Sequence, residues 1–128
     1  MAPRPVLVVD DDPDIRETLR FVLEDAGYPV YSAENGREAL AILATAERLP
    51  GLILLDLMMP VLNGWEFREQ QSRDERLAGV PVVVISGDGS TDEKAAKIGV
   101  SEFLRKPLEL SAILDVVRRH CAGNAHSR

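Results

Sequence analysis

The sequence has a single cysteine and no long hydrophobic run. The one thiol, Cys121, cannot form a disulfide within the chain, which favours a reducing compartment. No apolar stretch approaches the roughly 20 residues that a transmembrane helix needs. The first residues, Met1–Pro5, lead straight into an apolar run and lack the pattern of a signal peptide. We therefore expect a cytoplasmic protein with no membrane partner.

Positive charge is scarce relative to negative charge. The chain has 15 lysines and arginines against 21 aspartates and glutamates, a net charge of −6. Because nucleic-acid-binding domains usually carry a basic stripe, this balance argues against direct binding to nucleic acid. The sequence also contains no repeat, linker or low-complexity stretch, and 128 residues suit one domain. We expect a single domain over 1–128, with a core from about 5 to 122 and a flexible tail at 123–128.

What the sequence does contain is a regular alternation of short apolar runs and helical patterns. The apolar runs predict five strands, at 5–10, 30–33, 52–56, 82–85 and 102–105. The predicted helices run from Pro13 to a stop at Gly27, from Asn35-Gly36 to Pro50-Gly51, from about Trp65 to Arg76, from Thr91 or Asp92 to Gly99, and from Leu108 to about Cys121. Five successive βα units predict an α/β domain, with a parallel sheet covered by helices on both faces.

Polar residues with complementary chemistry stand at the ends of several predicted strands. Asp10 and Asp11 follow the first strand, Asp56 ends the third, Ser86 follows the fourth and Lys106 the fifth. The carboxyl ends of parallel strands share one edge of the sheet, where such folds bind ligands. Converging carboxylates repel one another, and a divalent cation such as Mg²⁺, which prefers oxygen ligands, would relieve that repulsion.

The same set of residues suits phosphoryl chemistry. A hydroxyl and an ammonium are the groups that the oxygens of a phosphoryl group need. An aspartate that attacks phosphorus forms an acyl phosphate. Asp56, which lies centrally among these residues, is therefore the candidate nucleophile.

In these motifs the sequence resembles the receiver domains of two-component response regulators, over nearly its full length. The matching motifs are Asp10-Asp11, Asp56 with Met59-Pro60, Ser86 and Lys106-Pro107, in the family's order and strand context. The resemblance implies the family fold, a doubly wound, flavodoxin-like sheet of five parallel strands in the order 2-1-3-4-5. Chemotaxis regulators of this family are a known example of that order.

The resemblance also implies a role for each residue of the site. Asp56 would be the phosphorylated residue, taking the phosphoryl group from a histidine kinase or a histidine phosphotransferase. Asp11 would bind Mg²⁺ directly and Asp10 would hold it through water. Asp56 and the backbone carbonyl of Met58 would complete the metal ligands. Lys106 would pair with a phosphoryl oxygen of the modified protein.

A conformational switch is the expected output of that chemistry. Ser86 would hydrogen-bond a second phosphoryl oxygen, and Phe103 matches the aromatic position that rotates inward on activation. The output surface would combine the predicted helix after Thr91, the fifth strand and the last helix. On this surface Gly87 replaces the family's usual alanine, and the segment from Ser86 to Gly99 is short. The expected partners are a kinase and a downstream effector protein, and a phosphorylation-dependent dimer is a further expectation.

Other functions remain open at this point. A phosphohydrolase of the haloacid-dehalogenase type also uses an aspartyl nucleophile with Mg²⁺, but it needs a second aspartate where this chain has Met58. A pseudo-receiver would bind partners without phosphorylation, yet the acidic pair, the acceptor and the lysine are all present. Only residues 122–128 follow the last helix, so a complete chain would be a stand-alone regulator, similar to the chemotaxis type. Such a protein is a signalling switch, not an enzyme, and catalyses only its own phosphorylation and dephosphorylation.

Ordinary structural roles compete with the functional ones. Asp10 and Asp11 would place negative charge at a helix N-terminus, where the helix dipole favours it. Lys106 would be a surface lysine and Ser86 a turn residue. Phe103 would be a half-buried residue of the last strand.

Overall fold

The computed structural model describes residues 3–57, 61–86 and 102–121. The five strands are β1 (Val6–Val9), β2 (Val30–Ala33), β3 (Leu52–Asp56), β4 (Val82–Ser86) and β5 (Glu102–Arg105). Within the described ranges the helices are α1 (Pro13–Asp25), α2 (Gly36–Thr45), α3 (Gly64–Arg73) and α4 (Leu110–Cys121). The predicted helix from Thr91 or Asp92 to Gly99, the predicted tail at 123–128, Met58 and Gly87 lie outside the described residues.

The strands form one parallel sheet in the order β2-β1-β3-β4-β5, which confirms the predicted fold and strand order. β1 and β3 are buried along their whole length, because helices cover both faces of the sheet. Alternate residues of β1 belong to different cores. Leu7 and Val9 pack in the core that includes residues of α2 and α3, whereas Val6 and Val8 pack in the core that includes residues of α1 and α4.

The starts of α1 and α3 follow local sequence signals. Asp12 is the N-cap of α1, its side chain accepts a hydrogen bond from the Asp14 N–H, and Pro13 takes the first helical position. Asn63 opens α3 with a capping box that includes Glu66. The caps Asp12 and Asn63 therefore fix where α1 and α3 begin, near the edge of the sheet where the polar residues lie.

Helix ends and the start of α4 depart from the sequence prediction. α2 ends at Thr45 because Ala46 is extended, and α3 ends at Arg73 because Asp74 is extended. α4 begins at Leu110, two residues after its predicted start, and the carbonyl of Glu109 accepts the hydrogen bond from Ile113. Among the described residues, no helix combines the length and apolarity that crossing a bilayer requires.

Candidate functional site

Three carboxylates converge at the carboxyl edge of the sheet. Asp10 follows β1, Asp11 is next in the chain, and Asp56 is the last residue of β3, which pairs directly with β1. One oxygen from each carboxylate lies within 4.8 Å of the others. Asp10 and Asp56 are only 0% and 3% exposed, whereas Asp11 is open to solvent. The site therefore combines two buried negative charges with one accessible carboxylate.

Asp10 is held by several neighbours. Its N–H donates to the carbonyl of Ala33 at 3.1 Å, and its Oδ1 accepts from the N–H of Asp12 at 2.9 Å. Its Oδ2 is buried and accepts no hydrogen bond from the described residues. A buried carboxylate oxygen without a donor is costly unless a charge compensates it. The position of Asp10 Oδ2 is therefore suited to a positively charged group.

Lys106 supplies one such charge. Its Nζ lies 3.4 Å from Asp10 Oδ2 and 3.7 Å from Asp56 Oδ2, and its side chain is 27% exposed. Since Asp10 Oδ2 accepts no hydrogen bond, the first contact is an ion pair that lacks hydrogen-bond geometry. The lysine follows β5, and its peptide bond with Pro107 is cis. Lys106 follows a strand that is adjacent to neither β1 nor β3, and its positive charge offsets part of the negative charge of the three carboxylates.

The other sequence-predicted residues are placed less completely. Ser86 ends β4, and its backbone is paired in register with Arg105 of β5. The Ser86 side chain and the whole of Met58 are not among the parts of the chain that the structure describes. Phe103 of β5 is partly buried and packs against the core that includes residues of α2 and α3. The guanidinium of Arg105 lies 6.0 Å from the centre of the Phe103 ring, within the range of a weak cation–π contact.

Two residues near the carboxylates were not singled out from the sequence. Gly64 opens α3 directly behind the end of β3, and its N–H donates to the Leu57 carbonyl at 3.1 Å. A Cβ at Gly64 would lie 2.9 Å from the Asp56 carbonyl oxygen. Arg16 donates from Nη1 to the Asp10 carbonyl at 2.7 Å. The only sequence signals were a glycine after the helix-capping Asn63 and a cation one turn past the acidic residues.

A second group of charges lies at the opposite edge of the sheet. Glu102, the first residue of β5, accepts a hydrogen bond from Arg119 at 2.6 Å and contacts His120 Nε2 at 3.1 Å. The hydrogen bond from Arg119 lowers the pKa of Glu102 below its usual value, and Glu102 in turn raises the pKa of Arg119. These residues tie β5 to the end of α4. They are not part of the acidic cluster.

Cys121 is also remote from the acidic cluster. Its thiol is buried at the end of α4, beside the carbonyl of Pro5 at 3.6 Å. Burial raises the pKa of Cys121 to about 11. The side chain is therefore a protonated thiol at neutral pH, and its role is packing.

Comparison with known proteins gives a consistent result. A family model described as the response regulator receiver domain matches residues 6–118. The chain is 36% identical over 124 residues to the phosphate regulon transcriptional regulatory protein PhoB of Pseudomonas aeruginosa. This alignment covers 93% of this chain and 53% of PhoB. It is 34% identical over 120 residues to the protein PilH of the same organism, covering 92% of this chain and 98% of PilH.

A solved structure agrees with these sequence matches. The chemotaxis protein CheY4 of Vibrio cholerae superposes with a TM-score of 0.83 at 32% sequence identity, over 93% of this chain and 99% of CheY4. The chain thus spans about as much sequence as PilH and CheY4 do, but only 53% of PhoB.

Proposed function

Because the chain belongs to the response regulator receiver domains of two-component systems, we propose that Asp56 accepts a phosphoryl group from the phosphohistidine of a histidine kinase or a histidine phosphotransferase. Receiver domains act as signalling switches and are not classical enzymes. The observation that carries the proposal is the convergence of three carboxylates with the Lys106 ammonium at the end of β3. This set is what a carboxylate nucleophile and a negatively charged phosphoryl group need from their surroundings.

The acidic cluster fits a magnesium ion. Two carboxylates this close repel each other by on the order of 3 kcal/mol at the effective dielectric of a protein site, and Lys106 offsets only part of that repulsion. Oxygens that share one octahedral Mg²⁺ lie about 3 to 4 Å apart. A span of up to 4.8 Å therefore suits an ion that some carboxylates reach directly and others through water. We assign direct binding to Asp11 and Asp56, and water-mediated binding to Asp10.

The Met58 carbonyl, which is outside the described residues, is proposed as the remaining protein ligand. Bound Mg²⁺ would withdraw charge from the phosphoryl oxygens and lower their repulsion of the Asp56 carboxylate.

The transfer step forms one bond and breaks one. A carboxylate oxygen of Asp56 forms the new bond to phosphorus while the bond between phosphorus and the imidazole nitrogen breaks. The imidazole leaves with the electron pair of that bond and takes up a proton. Asp56 is buried but lies beside the exposed Asp11. The phosphohistidine would therefore approach the acceptor oxygen from the solvent side of the cluster, where Asp11 lies.

Lys106 is proposed to change partners on phosphorylation, from the carboxylates of Asp10 and Asp56 to a phosphoryl oxygen on Asp56. In the unmodified protein its ammonium lies near both Asp10 and Asp56. The present contact with Asp10 lacks hydrogen-bond geometry, whereas phosphorylation of Asp56 would add oxygens that can accept charge-assisted hydrogen bonds from the ammonium. Ser86 would donate to another phosphoryl oxygen, and the half-buried Phe103 would rotate inward. The resulting change at β5 and the neighbouring surface would control an effector protein or a phosphorylation-dependent dimer.

A hydrolase of the haloacid-dehalogenase type is not proposed. Its general acid would stand two residues after Asp56, and residue 58 is methionine. The acidic pair, Asp56 and Lys106 are all present, so a pseudo-receiver has no observation in its favour.

Phosphorylation with a small phosphodonor tests the proposal. The protein is incubated with acetyl phosphate and MgCl₂, and intact mass is measured with and without EDTA. We expect one added phosphoryl group on the wild type, lost in EDTA, and none on Asp56→Asn. Asp25→Asn removes an exposed carboxylate from the end of α1 and is the matched control, which should be modified like the wild type. Equal modification of Asp56→Asn, or modification that persists in EDTA, would contradict the proposal.

The donor class is tested separately. A phosphorylated histidine kinase or phosphotransferase from the source organism should lose its label as the wild type gains it. Asp56→Asn should leave the donor labelled. Transfer to Asp56→Asn at the wild-type rate would exclude Asp56 as the acceptor.

A further inference from the structure

Arg16 connects the first helix to the acidic cluster. The residue lies in the first turn of α1, where its own N–H makes a helical hydrogen bond to the Asp12 carbonyl. Its side chain turns back toward the end of β1 and donates from Nη1 to the Asp10 carbonyl at 2.7 Å. The contact is partly buried. A charge-assisted hydrogen bond of this length is stronger than a neutral one.

This hydrogen bond completes a set of contacts that fixes Asp10. The Asp10 N–H is bonded to Ala33 and its Oδ1 to the Asp12 N–H. The remaining backbone atom, the carbonyl oxygen, is the one that Arg16 holds. A peptide unit is planar, so fixing the Asp10 carbonyl also fixes the direction of the following N–Cα bond. That bond leads to Asp11, whose carboxylate is the exposed member of the cluster.

We propose that Arg16 is a positioning residue for the metal-binding pair, and that it acts by orienting the peptide between Asp10 and Asp11. The inference rests on the proposed Mg²⁺-dependent function of the same site. Arg16 donates to the backbone and is not itself a metal ligand. Without it, the peptide rotates more freely and the exposed carboxylate of Asp11 samples directions that do not face Asp56.

Orientation and charge predict opposite effects on Mg²⁺ affinity. Arg16 carries a positive charge near a cation site, so removing that charge should by itself strengthen Mg²⁺ binding. Loss of orientation should weaken it. A purely structural role for Arg16 would lower the stability of the fold and leave the affinity of the folded protein unchanged. The sign of the affinity change therefore separates the three roles.

The experiment titrates MgCl₂ into the wild type, Arg16→Met, Arg16→Lys and Arg20→Met. Binding is followed by the fluorescence of Trp65, the sole tryptophan, and by the backbone NMR signals of residues 10–12. Arg20→Met is the matched control, because it removes the same charge one turn later on α1. Arg20 bonds to Glu24 and Ser32, away from Asp10.

We expect Arg16→Met to bind Mg²⁺ about tenfold more weakly, as is typical when a group supporting a metal ligand is lost. Arg16→Lys keeps the positive charge and N–H donors and should recover part of the affinity. Arg20→Met should bind like the wild type or slightly more tightly. In the metal-free NMR spectra, the Asp10 carbonyl carbon should shift in Arg16→Met and stay in place in Arg20→Met.

Several results would overturn the inference. One is an Arg16→Met protein that binds Mg²⁺ as tightly as Arg20→Met does, and another is an Arg16→Lys protein no tighter than Arg16→Met. Urea unfolding of each variant checks that the protein is folded under the conditions of the titration. If Arg16→Met is unfolded, the Mg²⁺ affinity of Arg16→Lys is compared with that of the wild type, and a weaker affinity supports the inference. If the wild type itself fails to bind Mg²⁺, the proposed function is wrong as well. If the wild type binds Mg²⁺ and only the results for the Arg16 variants disagree, the inference about Arg16 alone is wrong.

Discussion

Lys106 Nζ lies 3.4 Å from Asp10 Oδ2, an oxygen that is buried and accepts no hydrogen bond from the described residues. The two residues come from opposite ends of the chain and meet because β1 and β5 belong to one parallel sheet. The ammonium therefore lies beside the carboxylates that we propose as Mg²⁺ ligands. We expect Lys106 and Mg²⁺ to compete for these carboxylates.

Replacing Lys106 tests that competition. Lys106→Met should lower the free energy of unfolding without Mg²⁺ by roughly 1 to 2 kcal/mol, because buried carboxylates lose a counter-charge. Its Mg²⁺ affinity should rise, so saturating Mg²⁺ should restore most of the lost stability. Urea unfolding with and without MgCl₂ measures both effects. Arg73→Met, which removes an exposed ion pair with Glu69, is the control. Unchanged Mg²⁺ affinity in Lys106→Met would contradict the competition.

Replacing Asp56 should make the metal-free protein more stable. Asp56→Asn removes one of three mutually repelling charges, and we expect a gain of about 1 kcal/mol in the free energy of unfolding without Mg²⁺. The stabilisation by Mg²⁺ should shrink, since one ligand is lost. Thermal unfolding in EDTA and in MgCl₂ gives both values. An Asp56→Asn protein less stable than the wild type in EDTA would show that the cluster is not strained by its charge.

Gly64 should be intolerant of even a methyl group. A Cβ there would lie 2.6 Å from the Leu57 Cα and 2.9 Å from the Asp56 carbonyl oxygen, both backbone atoms that cannot move aside cheaply. We expect Gly64→Ala to lose about 1 to 3 kcal/mol of stability and to slow phosphorylation by acetyl phosphate. Gly79→Ala is the control, because its Cβ would meet nothing within 4 Å. Equal effects of the two substitutions on unfolding would refute the close-approach argument.

Glu102 should make stability depend on acidic pH. Its folded-state pKa lies below the ordinary value of 4.5, chiefly because of the hydrogen bond from Arg119. A lowered carboxyl pKa stabilises the folded state above the unfolded-state pKa, and that stabilisation is lost as the pH falls through the folded-state pKa. The wild type should therefore be more stable than Glu102→Gln at neutral pH. This difference in the free energy of unfolding should shrink below about pH 4. Urea unfolding across this range measures it, and a difference that grows with acidity would contradict the assignment.

The sequence predicts the sheet and the convergence of its polar ends for a definite physical reason. Leu52–Asp56 is a short, continuously apolar run that ends in a charge, and such a run is typical of a strand in a sheet covered on both faces. Once the strands are parallel, their carboxyl ends meet without any further information. The aspartate before Pro13 likewise indicates a helix start, and Asp12 is the N-cap of α1.

What the sequence did not predict depends on contacts made after folding. α3 ends at Arg73 although the helical pattern continues, and the buried Gln71 donates hydrogen bonds to the carbonyls of Leu77 and Val80 in the following loop. The close approach of Gly64 to β3 and the reach of Arg16 to the Asp10 carbonyl are likewise tertiary. Neither contact has a local pattern that would set it apart from an ordinary glycine or a surface arginine.

The buried thiol of Cys121 has a practical consequence. A protonated sulfur without solvent access reacts slowly with maleimides and iodoacetamide, so the native cysteine need not be removed before labelling. A cysteine introduced on the surface would carry a dye or spin label alone while the fold is intact. Delayed labelling of Cys121 itself would then time the detachment of α4 from the sheet.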